Sequence, residues 1–96
     1  MKKKVVQDEK FYKFFEGDAE TFWIDKRRGT GKILTHFLKN KGTLINLETI
    51  EKISGWKDSK KQMRGYLMPI INNWSPYKIE RIKEGERIEY KLTSEK

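Results

Sequence analysis

Apolar residues change their spacing four times along the chain, and each change marks an element. Ile33, Leu34, Phe37 and Leu38 recur at helical spacing between Thr30 and Gly42. This predicts a first helix over 31–40, capped by Thr30 and ended near the glycine. Thr43-Leu44-Ile45 is a short β-prone piece, and Asn46 is placed to cap a second helix with the stripe Leu47, Ile50 and Ile53, stopped by Gly55. Lys57-Asp58-Ser59 offers the next cap. From there Met63, Leu67, Ile70 and Trp74 fall at i, i+4, i+7 and i+11, the strongest periodicity in the sequence. Pro69 lies inside this third helix, where it removes a backbone donor and crowds the carbonyl of Gly65, so a bend or local break is expected over 65–69.

After Trp74-Ser75-Pro76 the period drops to two. Tyr77 and Ile79 precede a Lys83-Glu84-Gly85-Glu86 turn, and Ile88, Tyr90 and Leu92 follow it, which predicts a β-hairpin. Ile79 and Ile82 are three apart, so the first strand is expected to carry a bulge or end early. Residues 5–28 admit two readings. Gly17-Asp18 between Phe11-Tyr12-Lys13-Phe14-Phe15 and Phe22-Trp23-Ile24 suits a hairpin turn, whereas Asp8 as a cap and Gly17 as a stop suit a helix over 9–16. The hairpin is slightly favoured. No repeat or linker divides the chain, so the expectation is one domain over 1–96, with residues 1–28 as an extension packed on a core formed by 30–93.

Composition then removes several chemistries. There is no cysteine, and His36 is the only histidine, so thiolate metal sites and Ser–His or Cys–His nucleophile systems lack parts. We expect no enzyme activity, no cofactor and no metal. Arg28-Gly29-Thr30-Gly31-Lys32 suggests a phosphate loop, but Lys26 stands where the first glycine belongs and Ile33 where the metal-binding hydroxyl belongs. Glu89-Tyr90-Lys91 with an acid such as Asp25 is the kind of nuclease match that a chain rich in Glu and Lys produces by chance. The apolar stretch Tyr66 to Ile71 is interrupted by Pro69 and far shorter than the roughly 20 residues of a membrane span. The basic start turns acidic at Asp8 after two apolar residues, unlike a secretory signal. The expectation is a cytoplasmic protein without a membrane partner.

Charge is the positive signal. The chain carries 22 basic and 14 acidic residues for a net +8, and residues 29–75 hold 8 basic against 3 acidic of these. Seventeen of the 22 basic residues are Lys, and ten Ile stand against one Ala, so part of the excess reflects composition alone. The local density does not. Lys57, Lys60, Lys61 and Arg64 meet only Asp58 between Trp56 and Met68, which reads as an electrostatic footprint for phosphate, with a solvated helix face as the plain alternative.

Ile33-Leu34-Thr35-His36-Phe37-Leu38 with Lys41-Gly42, Leu47 to Glu51 with Ile53-Ser54-Gly55-Trp56, Ser59-Lys60-Lys61-Gln62-Met63-Arg64, and Ile79-Glu80-Arg81-Ile82 with Glu89-Tyr90-Lys91-Leu92 stand in one order. In that order residues 30–93 resemble the C-terminal effector domains of bacterial response regulators. The resemblance implies an α+β winged helix-turn-helix fold, with three helices and a C-terminal β-hairpin wing, here with an added N-terminal aromatic-rich hairpin or helix. It implies double-stranded DNA as the partner and regulation of transcription as the role.

On that reading the third helix buries Met63, Leu67, Ile70 and Trp74 and turns Lys61, Arg64, Gly65, Met68 and Asn72 to solvent. Arg64 and Gln62 are the base-reading candidates in the major groove. Lys57, Ser59, Lys60 and Lys61 meet phosphates, and Gly65 lets the backbone come close. Lys83 and Arg87 flank the wing tip, opposed by Glu84 and Glu86 between them. Arg27, Arg28 and Lys32 touch the DNA backbone or line a solvated loop. Met68, exposed beside Pro69, together with the N-terminal aromatics, supports the alternative of a protein-interaction module: an adaptor, a homodimer or a phage-type inhibitor. Single-stranded binding needs exposed stacking aromatics, and most Trp and Phe are expected in the core.

Overall fold

The computed structural model describes residues 2–94, and a few polar caps and glycines set its local geometry. Asp8 accepts from the backbone N–H groups of Lys10 and Phe11 at 2.8 Å each and turns β1 (Lys3–Gln7) into β2 (Phe11–Glu16). Gly17, at φ +62°, turns β2 into β3 (Ala19–Asp25), a positive φ that favours glycine. The three strands form an antiparallel sheet in the order β1-β2-β3. Between Phe14↔Phe22 and Phe15↔Glu20 the register slips by one residue, and Thr21, left over on β3, donates its hydroxyl to the Phe14 carbonyl at 3.2 Å. Of the two readings of residues 5–28 the structure has the hairpin, with a third strand outside it.

Helix α1 (Gly29–Lys39) begins one residue before the expected cap, with Arg28 in that position and no side-chain cap. Its second turn is fastened to the first sheet. Tyr12 Oη meets Thr35 Oγ1 at 2.5 Å, and Thr35 Oγ1 donates to the Gly31 carbonyl at 2.8 Å. Gly31 itself packs directly on the backbone of residues 25 and 26. A Cβ there would overlap the Asp25 carbonyl oxygen and stand 2.5 Å from the Lys26 Cα. The glycine of the apparent phosphate loop thus serves helix–strand contact.

Asn46 caps α2 (Leu47–Ser54) by accepting from the Thr49 N–H at 2.8 Å, and Gly55, at φ +73°, closes it. Asp58 caps the third helix, accepting from the Lys61 N–H at 3.2 Å. That helix, α3 (residues 59–74), has three parts: an α-helical turn Ser59–Gln62, a π-helical turn Met63–Leu67, and a further α-helix Met68–Trp74. Pro69 has no N–H to offer the Gly65 carbonyl. In the widened turn the preceding residue, Met68, donates five residues back to Met63, which lets the chain pass the proline without breaking. The wide turn also consumes an extra residue. Ile71 consequently joins Met63, Leu67 and Ile70 in the core, while Trp74 is 43% exposed, contrary to the regular spacing.

The last hairpin, β5 (Tyr77–Glu84) and β6 (Arg87–Ser94), turns at Gly85 with φ +65°. Its register runs without a shift from Tyr77↔Ser94 to Glu84↔Arg87, so the expected bulge is absent and Ile82 lies half-buried on the opposite face from Ile79. The Asn72 side chain holds β5 to α3, accepting from the Ile79 N–H at 2.8 Å.

The expected fold, three helices with a C-terminal hairpin as a wing, requires correction. The described residues form three helices and two three-stranded antiparallel sheets. The hairpin is not a free wing, because β4 (Ile45–Asn46) pairs along β6 through Ile45↔Tyr90 and Asn46↔Glu89 and makes the order β4-β6-β5. The expected N-terminal hairpin gains a third strand and becomes a whole sheet, which sends Tyr12, Phe14 and Ile24 into the same core as Phe37, Leu67 and Leu92. Among the described residues no helix is long and apolar enough to cross a membrane.

Candidate nucleic-acid interface

The first turns of α3 set the surface in question. Ser59 lies four residues before Met63 and eight before Leu67, hence on the buried stripe; it is 3% exposed. The expectation that its hydroxyl meets phosphate is therefore corrected. Lys60, Lys61, Gln62, Arg64 and Gly65 are all exposed, as is Lys57 just ahead of the helix. A Cβ on Gly65 would meet nothing within 4 Å. Glycine is thus not required there by packing, although it weakens the helix. Met68 is half-buried and packs on the core, and Asn72 is held by β5, so neither belongs to the outward face assigned to them.

On the inward face of the second sheet are two residues absent from the expected set. Arg81 and Tyr90 are paired across β5 and β6, so their side chains share a face. Arg81 Nε and Tyr90 Oη are both buried without a hydrogen-bond partner among the described residues. Burial pushes the Tyr90 phenol above its ordinary pKa, while the guanidiniums of Arg81 and Arg64 beside it pull the other way. Arg81 thus stands beside the Tyr90 phenol on the inward face of the hairpin. In the sequence, the signal was an arginine at an inward position of an alternating strand, two residues after Ile79.

The remaining candidates are spread around this centre. Lys83 and Arg87 are exposed at the end of the hairpin, together with Glu84 and Glu86. Arg27 is committed elsewhere: its Nε and Nη2 donate to Asp25 at 3.1 and 2.9 Å, and its backbone N–H donates to the same carboxylate at 2.9 Å. These bonds hold Asp25 down to about 2. Arg28 and Lys32 are exposed. Arg28 and Thr30 share a cleft with Phe11, Trp23 and Tyr66, so the start of α1, the first sheet and α3 meet there. Trp23 is 54% and Tyr66 43% exposed, although most Trp and Phe are buried or half-buried as expected.

Among the described residues the ion pairs within 4 Å are Lys13–Asp8, Arg27–Asp25 and Lys52–Glu48. Lys57, Lys60, Lys61, Arg64 and Arg81 are in none of them. Such a surface can do electrostatic work on an anion without first releasing an internal partner. The described residues include no group of three His, Asp or Glu side chains able to hold a metal. Compared with protein-family models, curated proteins and solved structures, the chain matches none.

Proposed function

We propose that the protein binds double-stranded DNA through the outer face of α3 and acts in the cytoplasm as a small regulator of transcription. The observation that carries the reading is the run of exposed cations from Lys57 to Arg64 without carboxylate partners among the described residues. Lys57, Lys60 and Lys61 take phosphates. Gln62 and Arg64 reach base edges, with Arg able to bridge guanine O6 and N7. Gly65 leaves room for the DNA to approach the backbone. Lys83 and Arg87 extend the contact along the hairpin.

Met68 no longer favours a protein-docking surface on α3, because its side chain is packed on the core. Replacing Lys60, Lys61 and Arg64 together with alanine tests the reading, since all three are exposed and the fold does not depend on them. Gel-shift titration should show duplex affinity falling about 100-fold, and the salt dependence losing roughly 0.9 of log–log slope per phosphate contact removed. An unchanged affinity and slope in the folded triple variant would refute it.

A further inference from the structure

The cleft between the first sheet, the start of α1 and the π turn of α3 has a different character from the cationic face beside it. Its volume is about 370 Å³, and Trp23, Phe11, Tyr66, Arg28, Thr30 and Asp25 line it. That is near the lower end of the roughly 300–1,000 Å³ of small-molecule sites, so it admits one compact ring system and not a peptide helix or strand. Trp23, though 54% exposed, is held in place: the Phe11 ring lies 5.5 Å away at 50°, and Lys13 Nζ stands 5.5 Å from the indole centre. Tyr66 offers a second exposed ring from another element. The Asp25 carboxylate is neutralised by Arg27, which removes the repulsion an anion would otherwise meet. Arg28 is exposed and forms no ion pair among the described residues.

We propose that this cleft binds a single nucleotide, its base stacked on Trp23 and Tyr66 and its phosphate paired with Arg28. Aromatic faces accept any base, and a guanidinium supplies the complementary charge. The nucleotide comes either from an unpaired position in a strand lying along α3 or from solution as a free monophosphate. The strand source rests on the DNA-binding reading; the chemistry of the cleft does not.

The test uses the whole chain and the fluorescent base 2-aminopurine, whose emission falls on stacking. Three probes are titrated: a duplex with one unpaired 2-aminopurine, the same duplex fully paired, and free 2-aminopurine riboside monophosphate. The wild type should quench the unpaired probe. The Trp23→Ala/Tyr66→Ala variant should bind it about five- to a hundredfold more weakly while holding the fully paired duplex within about twofold, and Trp23→Phe/Tyr66→Phe should restore quenching. Retained quenching with the phenylalanine pair separates lost stacking from a damaged fold. Quenching of the free monophosphate alone assigns the same site to a soluble nucleotide. Quenching without duplex binding keeps the cleft and refutes the DNA-binding reading. Binding of the paired duplex with no quenching of either other probe, or quenching unaffected by the alanine pair, overturns the proposal and leaves the DNA-binding reading standing.

Discussion

The first sheet and α3 both carry many cations, and they engage them in opposite ways. On the sheet, Lys13 pairs with Asp8 at 3.5 Å and lies over Trp23. Lys4 lies over Phe15, and Lys26 lies over Tyr12 while donating to Gln7 at 2.7 Å. Arg27 grips Asp25, and Lys3 donates to the Asn73 carbonyl at 2.6 Å. On α3 and the facing strand, Lys57, Lys60, Lys61, Arg64 and Arg81 have no carboxylate within 4 Å among the described residues. Counting charges therefore misleads: a cation already satisfied inside the molecule gains little on meeting an external anion, whereas an idle one gains most of its interaction there.

The largest expected effect comes from forcing the two regions apart. Gly31→Ala places a Cβ against backbone of residues 25 and 26, which cannot swing away. It should destabilise the protein by about 3 kcal/mol in urea denaturation; a loss under about 1 kcal/mol would mean that the close seam is dispensable. Next, the alanine triple at Lys60, Lys61 and Arg64 should lose duplex binding about 100-fold, whereas a triple at Lys4, Lys13 and Lys26 should change it by less than about twofold. Equal losses would erase the distinction between the regions. Smaller still, Gly65→Ala should stabilise α3 by roughly 0.5–1 kcal/mol yet weaken duplex binding, because a methyl group then stands where the backbone is bare. Stabilisation without weaker binding would remove the proposed close approach there.

The smallest effect is on pH dependence. Asp25 is held down to about 2 from its ordinary 3.8 by Arg27. A depressed carboxyl contributes stability above the unfolded value that is lost as pH falls through the folded one. The melting temperature should therefore fall between about pH 4 and pH 2, and Asp25→Asn should flatten that part of the profile. An identical slope in the variant would show that the Arg27 clasp adds nothing to the fold.

What could be read in advance was local. Asn46, Asp58, Gly55, Gly17 and Gly85 do what their own side chains, or lack of one, dictate within a few residues, and the stripe through Met63 and Leu67 follows from helical spacing. Long-range pairing was not legible. Nothing in Ile45-Asn46 announces a partner at Tyr90 and Glu89, and Lys3-Lys4 disguises the edge strand they open. The misplacement of Ser59 was avoidable, because it shares the Met63 stripe. Trp74 was not, because a regular helix is the default extrapolation and the wide turn ahead of Pro69 falsifies it.

That wide turn also makes α3 two helices spliced by one surplus residue. The half before it presents the cations; the half after it positions Asn72 against the second sheet. In a regular helix of the same length the two halves would stand at a different angle to each other. Here a one-residue deletion within 63–67 would turn the C-terminal half by about 100°, pulling Asn72 off Ile79 while leaving the Asp58 cap and the basic turn in place. The wide turn thereby fixes the angle between the cationic end of α3 and the end anchored on the second sheet.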